Sequence, residues 1–172
     1  MKKLVIITHP DLDNSQVNKT WMEELKNHPQ SFELHALYQK YPDLNFDIMA
    51  EQQLLSSYDE IIFQFPMHWF STPFALKKYV DEVFTYGWAF GPEGDKMKGK
   101  KIGFAVSTGG PAESYDATSG IPVASLLNDF SLSFQYCGCE ISQLHVLHGA
   151  MEVSSTGILQ ENAQAYVNTF LA

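Results

Sequence analysis

Ile61-Ile62-Phe63-Gln64-Phe65-Pro66-Met67-His68-Trp69-Phe70-Ser71-Thr72-Pro73 is the stretch that decides how this chain folds. Its first five residues are apolar on both faces apart from Gln64, as in a strand covered by a layer on each side. Its middle crowds His68, Trp69 and Phe70 into what must be a loop. Its end predicts a helix, with Pro73 in the first turn and Thr72 as the cap. Three rings on a loop need a reason. A flat ligand stacked near Trp69 and Phe70 would supply one, and so would a subunit interface or core packing.

Working outward, three more short apolar runs read as buried strands, at residues 3–8, 101–107 and 143–147. A weaker run at 31–37 alternates apolar and polar residues, as a partly exposed strand does. Helical spacing fills the gaps: Val17, Trp21 and Leu25 in 15–28; Ile48, Met49, Gln52 and Leu55 in 46–57, after Asn45; Leu76, Val80, Val83 and Phe84 in 73–86. Helices at 122–136 and 157–171 complete five strands alternating with five helices. Such alternation predicts an α/β three-layer sandwich with a parallel sheet and right-handed crossovers. Five strands in this length fit the order 2-1-3-4-5, and 172 residues with 45% apolar content fit one domain, 1–172. In such sheets the ligand crevice lies beyond the carboxyl ends of the strands. Functional residues should then follow strands 1, 3 and 4.

They do. After strand 1, Thr8-His9-Pro10-Asp11-Leu12-Asp13-Asn14-Ser15-Gln16-Val17-Asn18 leads into a helix with Ser15 as its N-cap. Small polar groups at such a junction can offer N–H groups and hydroxyls to a phosphate, although neither a P-loop nor a dinucleotide glycine pattern is present. His9 reads equally as a phosphate partner or a hydrogen-bonded loop residue, and an ordinary capped helix explains the rest as well. After strand 4, Ser107-Thr108-Gly109-Gly110-Pro111-Ala112-Glu113-Ser114-Tyr115 carries paired glycines. Those permit positive φ and close backbone approach, with amides free to donate to a ligand carbonyl or developing anion; a plain turn is the simpler reading.

The formal charge of −9 argues against a nucleic-acid partner, which needs a basic face. It does not exclude a phosphorylated cofactor, since helix N-terminal amides hold phosphate without Lys or Arg. No apolar run is long enough to span a bilayer, and the start, Met1-Lys2-Lys3 before four apolar residues, reads as a strand in a cytoplasmic protein. Cys137 and Cys139, one residue apart, suit neither a disulfide framework nor a zinc site and read as buried thiols. His145 and His148 have no evident third ligand. Asp81 and Glu82 read as solvated or paired helix carboxylates, and 96–101 as a solvated lysine-rich turn.

These residues together resemble the flavodoxin-like NAD(P)H:quinone oxidoreductases, the family of bacterial general stress and drug-modulator reductases and of the ancillary subunits of glutathione-gated potassium efflux systems. The resemblance covers nearly the whole chain. It is carried by His9-Pro10 with Ser15 and Asn18, by Pro66 to Phe70 with Pro73, by Leu76-Lys77-Lys78 and Asp81, by Gly87-Trp88-Ala89-Phe90, and by Thr108-Gly109-Gly110 with Tyr115. It implies a flavodoxin-like fold and a non-covalent flavin, FMN with FAD as the other choice. NADPH or NADH would reduce it, and a quinone-like acceptor would reoxidise it in a ping-pong cycle. By position, His9, Ser15 and Asn18 would serve the ribityl-phosphate end, with Gln16 and Val17 giving backbone contacts. Pro66, Met67, His68, Trp69 and Phe70 would flank the isoalloxazine, and Thr108, Gly109, Gly110 and Tyr115 would meet its polar edge. Gly109, Gly110 and Tyr115 would be the catalytic groups. The resemblance also implies a homodimer with active sites at the interface, with Trp88 and Phe90 joining the slot. A membrane-transporter partner or a flavodoxin-type one-electron carrier is the alternative. The mammalian branch carries a relay histidine six residues beyond the tyrosine; here that residue is Ile121.

Overall fold

The structure is a computed structural model, described here for residues 2–118, 120–153 and 156–171. Five strands, β1 (Lys3–Ile7), β2 (Phe32–Ala36), β3 (Glu60–Pro66), β4 (Lys101–Ser107) and β5 (Glu140–Leu147), form one sheet in the order β2-β1-β3-β4-β5. Every pairing is parallel, as expected. The helices are α1 (Gln16–Lys26), α2 (Leu37–Lys40), α3 (Ile48–Ser56), α4 (Phe74–Val83), α5 (Val123–Leu126), α6 (Asn128–Tyr136) and α7 (Thr156–Leu171).

The apolar strands are explained by burial on both faces. Leu4 and Ile6 of β1 enter one core, with Ile61, Phe63 and Phe65 of β3 and Ile102, Phe104 and Val106 of β4. Val5, Ile7, Ile62 and Ala105 point the other way, into a second core with Trp21 and Leu25 of α1 and Tyr166 and Phe170 of α7. The period-2 alternation of the strand separates these two layers. Gly103 shows how closely α7 lies on the sheet: a Cβ there would stand 2.4 Å from the Phe170 ring.

Several boundaries differ from expectation. α3 begins after Asp47, whose Oδ1 accepts the Ala50 N–H at 3.1 Å, so the helix starts two residues later than expected. Pro73 is itself the residue before α4, in an extended conformation, and Thr72 makes no cap. The helix expected over 122–136 is split at Leu127 into α5 and α6. Cys137 and Cys139 are free and buried, and burial pushes the Cys139 thiol up to about 12. The lysine-rich turn is not wholly solvated. Lys100 is buried and donates to the carbonyls of Ser56 and Tyr58 at 3.2 and 2.6 Å.

Among the described residues no helix is long and apolar enough to cross a membrane.

Candidate functional site

The carboxyl ends of β1, β3 and β4 open onto a crevice of about 510 Å³. That size falls within the usual range for small-molecule sites, about 300–1,000 Å³. His9, Ser15, Gln16, Val17, Asn18, Pro66, Met67, His68 and Gly109 all line it, so the structure brings together residues from all three expected loops. Asp11, Asn14, Ser107, Ala150 and Met151 also line it and were not foreseen.

One end is built by the start of α1. Ser15 Oγ accepts the Asn18 N–H at 3.0 Å, as the capping pattern predicts. Asn18 is almost wholly buried, and its Nδ2 donates to Ser107 Oγ at 3.0 Å, tying α1 to the end of β4. Gln64 Nε2 donates to the Asn18 carbonyl at 3.0 Å, adding a strut from β3. First-turn amides have no carbonyl within their own helix, so the Gln16 and Val17 N–H groups are donors at the crevice wall. His9 Nδ1 accepts the Asp11 N–H at 3.1 Å, which leaves Nε2 to carry the ring's proton as a donor. Burial pushes the His9 imidazole below its ordinary value, the neighbouring His68 ring acts the same way, and the Asp11 charge opposes both. Among the described residues, no Lys or Arg lines the crevice. An anion held here would rely on helix amides and His9.

The aromatic loop is more strained than its sequence suggests. His68 and Ser71 exchange two backbone hydrogen bonds, at 2.9 and 3.0 Å, around Trp69 and Phe70. Both central residues have positive φ, 48° and 63°, the hand of a type I′ turn that ordinarily takes Asn and Gly. Such a conformation costs about 1–3 kcal/mol for each non-glycine residue. Trp69 is 93% exposed and Phe70 60%. Core packing is therefore ruled out as the reason for these two rings; a ligand or a partner surface remains.

The glycine loop corrects one expectation and extends another. Gly109 and Gly110 do not use positive φ. Their value is close approach: a Cβ on Gly109 would meet Met151 Sδ at 3.1 Å, and one on Gly110 would meet the Tyr115 ring at 3.4 Å. Among the described residues their N–H groups have no hydrogen-bond acceptor. Thr108 is buried and donates its hydroxyl proton to the Gly110 carbonyl at 3.1 Å. Thr8 Oγ1 and Gln64 Oε1, buried at the ends of β1 and β3, also lack partners among the described residues.

Trp69, Phe70, Thr108, Gly110 and Tyr115 do not line the crevice itself; they adjoin it through His68, Gly109 and one another. Trp88 and Phe90 are elsewhere. Phe90 lines a separate groove of about 770 Å³ with Val80, Phe84, Leu132 and Tyr136, between α4 and α6. His145 and His148 part company: His145 Nε2 pairs with Asn162 Oδ1 at 2.9 Å in the α7-side core, whereas His148 reaches Thr108 and Tyr115. Asp81 and Glu82 pair with Lys77 and Lys78 on the outer face of α4.

A parallel five-stranded sheet of this order, with polar helix-start, aromatic and glycine loops at its carboxyl edge, defines a flavodoxin-like protein. The chain belongs to the Flavodoxin_2 family, described as having a flavodoxin-like fold, whose model matches residues 1–170. It is 44% identical to general stress protein 14 of Bacillus subtilis over 151 residues, 87% of this chain and 86% of that one. It is 39% identical to YrkL, an uncharacterized NAD(P)H oxidoreductase of B. subtilis, over 92% of this chain and 91% of the relative. The glutathione-regulated potassium-efflux system ancillary protein KefF of Enterobacter is 36% identical, with 98% and 94% covered. Among solved structures, general stress protein 14 of Treponema denticola in complex with FMN superposes with a TM-score of 0.92 at 37% identity, covering 98% of this chain and 97% of that one. An NADPH-quinone reductase from P. pentosaceus gives 0.87 at 26% identity, with 99% and 98% covered.

Proposed function

We propose that this chain binds FMN in the crevice and catalyses NAD(P)H-dependent two-electron reduction of quinone-like acceptors by a ping-pong cycle. The observation that carries the reading is the convergence of residues from all three loops on one crevice, with the start of α1 at one end and the exposed Trp69 and Phe70 rings and the glycine loop adjoining it. The FMN complex of the Treponema relative supports the cofactor, and the oxidoreductase and quinone reductase among the similar proteins support the reaction class.

FMN, when bound, supplies the two-electron exchange. The chain supplies the rest. Gln16 and Val17 amides and His9 Nε2 hold the phosphate, while Ser15 and Asn18 keep the start of α1 in place. Pro66, Met67 and His68 support the ring system, and Trp69 and Phe70 wall an apolar slot used in turn by the nicotinamide and the acceptor. Gly109 and Gly110 amides donate to the polar edge, where Tyr115 assists in stabilising charge.

The slot is completed by a second copy. Phe74, Leu132 and Tyr136, 69%, 59% and 76% exposed, continue from the Trp69 loop along α4 and α6, and this face suits a homodimer. The KefF relative favours a second reading, an ancillary role at a potassium-efflux transporter.

Anaerobic addition of NADPH or NADH to the FMN-loaded protein should bleach the flavin absorption, and a quinone should restore it, with parallel initial-velocity lines. A full complement of flavin with negligible turnover would favour the ancillary role. Failure to take up FMN or FAD would overturn both.

A further inference from the structure

We propose that His148 is a positioning residue of the glycine loop and that its proton is sensed at the cofactor's polar edge; this rests on the FMN reading above. β5 ends at Leu147, so His148 emerges at the same carboxyl edge as the other functional loops. The 148–150 segment is joined to the glycine loop by backbone bonds. The Gly149 N–H donates to the Gly110 carbonyl at 2.8 Å and the Ala150 N–H to the Thr108 carbonyl at 2.9 Å.

The imidazole adds two contacts of its own. Its Nδ1 lies 2.9 Å from Thr108 Oγ1, and its ring stacks on Tyr115 with centroids 5.1 Å apart and planes 19° apart. One side chain thus contacts both Thr108 and Tyr115, while the Tyr115 ring packs against the open face of Gly110.

With the Thr108 hydroxyl proton on the Gly110 carbonyl at 3.1 Å, Nδ1–H donates to the Thr108 hydroxyl. Nε2 is left as a bare acceptor. Protonation at Nε2 therefore adds a positive charge without breaking the bond to Thr108. The charged and titratable groups facing the ring are Tyr115 and Glu113, both on the turn after the glycine loop. Burial pushes the imidazole below its ordinary value and the Glu113 charge pulls the other way, so the proton is taken up below the ordinary imidazole value. Once there, it favours negative charge at the edge that Gly109 and Gly110 face. The ring that meets Tyr115 comes from the loop after β5, whereas position 121 carries isoleucine.

Two variants separate holding from charging. His148→Asn keeps an amide within reach of the Thr108 hydroxyl but does not titrate; His148→Phe keeps the stack on Tyr115 and loses both nitrogens. The measurement is the midpoint potential of bound FMN against pH, roughly 5.5 to 8, with FMN affinity read in parallel. The wild-type plot is expected to change slope below about pH 6.5, because reduction there draws a further proton onto the imidazole. Both variants should lose that change, with FMN affinity altered less than about threefold in His148→Asn. A slope change that survives in either FMN-loaded variant overturns the inference and leaves the FMN reading intact. A wild-type chain that does not bind FMN overturns the FMN reading, and this one with it.

Discussion

Phe134 and Trp69 are large apolar rings put to opposite uses. Phe134 is wholly buried, stacked 5.0 Å from Phe63 and set edge-on to Phe130 and Phe84 at 4.9 and 5.5 Å. Trp69 stands in solvent, on backbone of left-handed twist, at the end of the same sheet that Phe134 covers. One ring is where hydrophobic burial puts it; the other is held where burial and backbone preference would both avoid. Strain kept at a loop of this kind points to a ligand or partner that uses it. The core of this chain and its crevice therefore answer to different demands, and substitutions should separate them.

The largest effect belongs to the core. Phe134→Ala should lower unfolding free energy by about 3–5 kcal/mol, while the folded fraction keeps its FMN affinity. Chemical denaturation and an FMN titration on the same sample check both halves, and loss of FMN affinity at full foldedness would blur the contrast.

A polar counterpart lies at Glu51. Its buried carboxylate meets His35 Nε2 at 2.9 Å, Tyr41 OH at 2.7 Å and Tyr79 OH at 2.8 Å. Desolvation pushes this carboxyl up, but His35 and the two tyrosine hydroxyls outweigh it, and its value falls below the ordinary one. A lowered acid contributes stability above its unfolded value and loses it as pH falls through the folded one. Glu51→Gln should cost about 1–3 kcal/mol at neutral pH and flatten the acid limb of the stability profile, with FMN binding unmoved.

The crevice should behave in reverse. Trp69→Gly removes a strained side chain, so stability should stay within about 1 kcal/mol of wild type. FMN or nicotinamide binding should weaken about tenfold, about 1.4 kcal/mol. A Trp69→Gly chain that loses several kcal/mol of stability would show the ring to be structural after all.

The smallest effect is set by histidines in both regions. Burial lowers the values of His145 in the core and of His9 and His148 at the crevice. The unfolded chain then binds protons that the folded one declines. Stability is unaffected above about pH 6.5 and declines as pH falls from there through the folded values. The thermal midpoint should be lower at about pH 5.5 than at about 7.5, and FMN, by placing a phosphate near His9, should narrow the gap.

Most of this architecture was legible because parallel strands buried on both faces write themselves as apolar runs. Four strands read from such runs and β2 from a weaker alternation, the order followed from five strands in this length, and Ser15 announced α1. What escaped were choices made by distant contacts. Asp47 caps α3 two residues beyond the expected boundary, and the break at Leu127 carries no helix breaker. The left-handed Trp69-Phe70 turn contradicts the residue preferences of its own geometry, so no local rule predicts it. His148, Ala150 and Met151 were missed because the crevice rule was applied to strands 1, 3 and 4 but not to strand 5. Their partners Thr108 to Gly110 lie some 40 residues earlier, joined only by the fold.

Equilibrium titration of the cofactor-free chain with FMN, followed by flavin fluorescence, tests the central claim most directly. One crevice built from three loops predicts one FMN per chain with a dissociation constant of about 1 μM or below, and weaker binding when either Trp69 or His9 is replaced. No saturable binding, or binding indifferent to both replacements, would contradict it.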